Sequence, residues 1–155
     1  MGANAIHFIL LLLLSLLVGT MFGIWVGFNP ASLSAAAYVE QQQNAIRSLN
    51  TLLPVMGAVC ILLAAWLAIQ SKNNPRSCYL FVAAIVCLVV AALVTRFGNQ
   101  RINAQVITWS AQSPPANWAQ LRDAWWQWHV VRTLAGIVGL CFTQLAVLGS
   151  IRSSS

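Results

Sequence analysis

Four mostly apolar stretches of this chain contain no Asp, Glu, Lys or Arg: 1–39, 48–71, 77–95 and 133–151. Each is long enough to cross a bilayer, which takes about 20 mostly apolar residues at roughly 1.5 Å per residue of helix. We place helical spans near 5–28, 52–70, 78–95 and 133–150. The expected fold is all-α: an integral membrane four-helix bundle, antiparallel and up-down, with helical extensions between spans one and two and between spans three and four. The four spans account for most of residues 1–155, which are read as one domain. Composition agrees, since only 6% of residues are charged and 59% are hydrophobic, against about 25% charged in soluble domains.

The first span resembles a secretory signal only superficially. No Lys or Arg precedes it, and its apolar run exceeds the roughly 7–15 residues of a signal core. We read it as a retained helix. The net charge of +6 would suggest nucleic acid in a soluble protein. Here the basic residues are scattered at helix ends, where they serve anchoring and topology, so no nucleic acid is expected. The four cysteines, Cys60, Cys78, Cys87 and Cys141, form no CxxC pair and read as small buried apolar residues.

With four crossings, both termini and the turn "SKNNPRS" (71–77) share one side. The other side holds more arginines, and a raw positive-inside count favours it as cytoplasmic. We place the short basic turn in the cytoplasm instead, because the arginines opposite look committed to a site. The expected location is a bacterial cell membrane, as a multi-pass protein.

Ser15, Gly19, Gly23 and Gly27 recur every four residues in the first span and make one smooth ridge. It is read either as tight packing on a neighbouring helix or as a flat wall beside a ligand. Residues 34–51 read as a helix with Glu40, Asn44, Arg47 and Thr51 on a solvated face and Tyr38, Ala45, Ile46 and Leu49 opposite. Gln42 falls on the apolar side, as a structural hydrogen bond or as part of a site. Pro54 is expected to kink the start of span two.

The densest polar signal is "RDAWWQWHVVRT" (122–133), which opens the last apolar run. Five of the seven tryptophans lie between 109 and 128. They read as an interfacial aromatic belt or as part of a site. Arg122, Trp125, His129 and Arg132 share one helical face, flanked by Trp126 and Thr133. Arg132 stands where the apolar run begins, where an ionised group is costly unless paired or facing a wet cavity. Gln42, Asn99, Asn103 and the 122–132 face belong to the same membrane side, which suggests a pocket at one end of the bundle. There His129 would accept a proton, Arg122 and Arg132 would stabilise an oxyanion, and Asn99 and Asn103 would orient a substrate. Trp118, Trp125 and Trp126 would stack against an aromatic ligand. His7 lies near the opposite surface, too far to share a metal or haem with His129 across about 30 Å of bilayer. No metal or other cofactor is called for.

"GNQRIN" (98–103), Trp109, "PPANW" (114–118) and "LRDAWWQWHVVRT" (121–133), with "YVEQQQNAIRSLN" (38–50), resemble the anthrone-oxygenase-like family of small four-span membrane proteins. Some fungal members oxidise polyketide anthrones to anthraquinones. The resemblance implies functional positions at Asn99, Asn103, Trp118, Arg122, Trp125, His129 and Arg132. It also implies an oxidase or oxygenase acting on a lipophilic phenolic or polycyclic compound without an enzyme cofactor. The competing expectation is a non-catalytic membrane protein that binds a small hydrophobic ligand or a partner protein. The partners expected are membrane lipid and a small lipophilic aromatic ligand, with homo-oligomerisation left open.

Overall fold

The computed structural model describes residues 3–152, with side chains from 4 to 150. Helix α1 (Ala3–Gly27) ends before a 3-10 turn at Pro30–Ser32, where Asn29 caps the Ala31 N–H. Helix α2 (Ala35–Leu49) starts on Ser34, whose hydroxyl accepts from the Ala37 N–H. Helix α3 (Leu52–Gln70) turns tightly into α4 (Pro75–Val94). The chain passes through a π-helical turn at Thr95–Asn99 into α5 (Gln100–Val106) and, after a loop, into α6 (Trp118–Arg152).

The fold is the expected all-α membrane bundle. Among the described residues, four helical runs are long and apolar enough to cross a membrane: Asn4–Ser32, Leu52–Gln70, Pro75–Val106 and Trp118–Ser150. The fourth begins well before residue 133, because α6 is continuous. Its 35 residues reach about 50 Å, so the polar "RDAWWQWH" segment is the expected helical extension, running without a break into span four.

Leu10, Leu14, Leu17 and Val18 of α1 pack with Cys60, Ala64 and Leu67 of α3, Phe81 and Leu88 of α4, and Ala146 and Val147 of α6. Lipid is as apolar as these side chains, so close packing rather than water exclusion holds such helices together. Gly136 shows how close: a Cβ there would meet the Met21 methyl at 2.8 Å and a Val18 methyl at 3.4 Å. A second cluster at the polar end joins Tyr38, Val39, Ile102, Val106 and Trp125.

Two expectations are corrected. The Ser15–Gly19–Gly23–Gly27 ridge is left open by the described residues: all four of its residues are exposed, and a Cβ on Gly19, Gly23 or Gly27 would meet none of their atoms within 4 Å. The larger side chains of the Leu10–Leu14–Met21 face bury α1 instead, and Gly136 of α6 supplies the close approach. Pro54 lies in the first turn of α3, where a missing N–H costs little. The break between α2 and α3 falls earlier, at Asn50–Thr51.

Candidate functional site

At the end of the bundle that carries α2 and α5, hydrogen bonds tie side-chain amides of these elements to one another and to Trp125 of α6. Asn103 of α5 accepts from Gln42 Nε2 at 3.1 Å and from Trp125 Nε1 at 2.8 Å, and donates to Asn50 Oδ1 at 2.8 Å. Asn99 Nδ2 donates to the Trp125 carbonyl at 2.9 Å. The π turn places both asparagines toward α6. Such a turn inserts one extra residue, and these insertions are frequent at functional sites. Gly98 lies in the same turn because the Trp128 ring is against it: a Cβ would come within 2.6 Å of that ring.

One turn deeper on α6 lies His129, fully buried. Its ring stacks on Trp125 at 5.1 Å, nearly parallel, and against Trp126 at 5.7 Å. Its Nδ1 accepts from Arg132 Nε at 3.1 Å and faces Arg132 Nη2 at 2.9 Å, while Nε2 stands 3.1 Å from the Met21 carbonyl. A guanidinium only donates, so Nδ1 holds the lone pair and Nε2–H donates to Met21. The imidazole is therefore neutral, with both nitrogens engaged.

Arg132 is 8% exposed, and its guanidinium lies 5.9 Å above the Trp125 ring. Among the described residues, the one ion pair is Arg122 with Asp123, and no carboxylate reaches Arg132. This buried cation lines two cavities. The larger, about 280 Å³, lies among α1, α3, α4 and α6, with Leu17, Ile61 and Leu88 in its apolar wall and Thr95, Arg96 and Gln100 at its polar end. The smaller, about 40 Å³, is bounded by Gln42, Asn50, Thr95, Asn103 and Arg132. A third cavity, about 310 Å³, is lined by Tyr38, Gln42, Asn44, Ser48 and Trp125. Gln42 borders the second and third cavities. The polar seam therefore stands between an apolar chamber within the bundle and a more polar one beside α2.

The predicted site residues divide accordingly. Gln42, Asn99, Asn103, Trp125, Trp126, His129 and Arg132 form one connected set. Arg122 and Trp118 do not join it. Arg122 Nε pairs with Asp123 Oδ1 at 2.9 Å, its guanidinium lies 5.0 Å above the Trp118 ring, and Trp118 packs on Tyr38 at 6.0 Å. Burial pushes the Tyr38 phenol well above its ordinary pKa; Arg122 opposes the shift and Asp123 adds to it. His7, stacked 6.2 Å from Phe81, precedes Met21 by 14 residues of α1, about 21 Å of helix. Among the described residues, no group of three His, Cys, Asp or Glu side chains could share a metal ion.

Sequence reasoning missed Asn50, Gln100, Gln43 and the Met21 carbonyl. Asn50 had a signal, an amide at the break between two helices. Gln43, beside Gln42, stitches the loop after α5 by donating to the Val106 and Trp109 carbonyls. Nothing in the sequence marks Met21, because a backbone oxygen has no residue-type signature.

Fold and site together define a multi-pass α-helical membrane protein with a buried arginine–histidine pair beside an apolar chamber. A family model described as anthrone oxygenase matches residues 42–142, about two thirds of the chain, and the chain belongs to that family. The match contains Gln42, Asn99, Asn103 and the whole α6 face, whereas Met21 lies outside it. No curated protein and no solved structure matches the chain.

Proposed function

We propose that this protein oxidises a lipophilic phenolic or polycyclic compound of the anthrone type with dioxygen, in the apolar chamber beside Arg132, within a bacterial cell membrane. The observation that carries this reading is the buried guanidinium with no carboxylate partner. An uncompensated charge at this depth is costly, and an oxyanion formed on the ligand would offset that cost.

The chemistry balances without a further reagent. Loss of a proton from the anthrone methylene leaves an electron-rich enolate, whose oxygen takes the Arg132 fork. Dioxygen adds at that carbon. One oxygen atom becomes the new ring carbonyl, and the second leaves as water with the two methylene hydrogens. His129 Nδ1 is the proton acceptor. It holds its lone pair but gives it to Arg132 in the free protein, so the guanidinium leaves Nδ1 for the oxyanion as the proton arrives. Trp125 and Trp126 hold the imidazole in place.

Binding without turnover is the second reading. It is favoured by the complete enclosure of His129 and the engagement of both its nitrogens. The purified protein in lipid nanodiscs, given emodin anthrone and oxygen, separates the two readings. Oxygen uptake matched by anthraquinone absorbance, lost in Arg132→Met and in His129→Ala, is the expected result. Full turnover in His129→Ala would remove His129 as the base. Ligand binding without oxygen uptake would leave the second reading.

A further inference from the structure

We propose that the ligand reaches Arg132 sideways from the bilayer, through a slot between α3 and α4 framed by Gly57 and Ala58 on one side and Ala91 and Ala92 on the other. This rests on the function proposed above and adds the route and the residues that set it. All four small residues line the 280 Å³ cavity. Ala58 and Ala92 are also exposed on spanning helices, so in a membrane they face acyl chains. The outer surface and the inner chamber therefore share Ala58 and Ala92.

Depth supports the same route. Ala58 is about 9 Å along α3 from its start at Leu52, and Ala92 is less than one turn before the π segment. Arg132 lies where the apolar part of α6 begins. Slot and cation thus share one height, a turn or two inside the polar face. An amphiphile lying in that leaflet would keep its rings among acyl chains and its oxygens near the surface throughout, so access would not require moving the ring system through water. The route from α2 is narrower: the 40 Å³ gap at the Gln42–Asn103 seam holds a water or so and no ring system. The occupant is a flat lipophilic phenol. The chamber wall is apolar, and the two charges that line it, Arg132 and Arg96, are cations that no carboxylate reaches among the described residues.

The test uses the full chain in lipid vesicles with dihydroxyanthraquinone dissolved in the bilayer, read by stopped-flow quenching of tryptophan fluorescence. Ala58→Trp/Ala92→Trp is expected to slow association at least tenfold. Val55→Trp, which is lipid-facing on the same helix but outside the cavity, and Ala45→Trp, at the α2 side, should associate at the wild-type rate. Melting in the same vesicles shows whether each variant is folded; if the double variant is not, Ala58→Leu replaces it, with the same expected direction. Wild-type rates in the folded slot variant, or slowing by Ala45→Trp instead, overturn the slot alone. Equal binding of anthracene, which lacks the oxygens, overturns the phenol as occupant. A wild type that binds neither compound overturns the proposed function together with the slot.

Discussion

Asn103→Ala should be among the most damaging single truncations at the polar end. Asn103 makes three side-chain hydrogen bonds, to Gln42, Trp125 and Asn50. Removing its amide strands an N–H of Gln42 and the indole N–H of Trp125, whose side chains are buried. In membrane proteins such bonds average about 0.6 kcal/mol and reach about 1.7; a stranded buried donor costs about 1–3 kcal/mol in soluble proteins. Three bonds therefore set the loss at about 2–5 kcal/mol. Reversible unfolding in mixed micelles with rising SDS, followed by tryptophan fluorescence, measures it. A Gln42→Leu background gives the sharper test. With no stranded Gln42 amide left, Asn103→Ala should cost less there by about 0.5–1.5 kcal/mol. A loss below about 0.5 kcal/mol for Asn103→Ala, or strict additivity with Gln42→Leu, would refute the shared network.

Four further outcomes follow from the same structure. Gly98→Ala should destabilise by about 1–3 kcal/mol, because its Cβ would sit 2.6 Å from the Trp128 ring; Trp128→Ala in the same chain should restore most of the loss in the same SDS titration. Arg132→Met should fold with stability within about 1 kcal/mol of wild type or above it, since an unpaired buried charge is removed, while oxygen uptake with emodin anthrone falls at least a hundredfold. Tyr38→Phe should leave stability at neutral pH unchanged or slightly raised, because the buried hydroxyl has no partner among the described residues. The folded Tyr38 pKa is raised, so the neutral phenol's contribution is constant below about pH 10 and fades as pH climbs through the folded value; alkaline melting should lose that decline in Tyr38→Phe. Gly23→Leu should shift stability by less than about 0.5 kcal/mol, because its side faces open space; a larger loss, accompanied by loss of a cross-linked dimer, would show a second copy on the ridge.

The spans were legible because their signal is a mostly apolar run without charge over a length that bilayer thickness fixes, and tertiary context does little to alter that. The α2 face was legible for a similar reason: Glu40, Asn44, Arg47 and Thr51 are all exposed, and Tyr38 and Gln42 are buried. The partners of each polar group were harder to read. Helical spacing put Gln42 on the inner side but could not select Asn103, 61 residues away. The ridge misled because small residues permit close packing without specifying it. Periodicity alone does not say which face of α1 a neighbour will occupy, and the leucine face took it. The π turn was invisible, since no residue type encodes it, yet it sets which side of the chain Asn99 and Asn103 present to α6.

Arg122 and Arg132 look alike in the sequence and end differently in the fold. The 122–133 stretch contains one carboxylate, Asp123, and it pairs with Arg122 at the half-exposed start of α6. Surface pairs of that kind contribute at most about 1 kcal/mol. The deeper arginine, for which a partner would matter most, has only a neutral histidine and an aromatic face. A chain optimised for stability alone would place its carboxylate the other way round or use an apolar residue at 132, since replacing buried charge with packed hydrophobic groups is often neutral or stabilising. The arrangement is understandable if the anion that Arg132 lacks arrives from outside the chain, in the apolar chamber it borders.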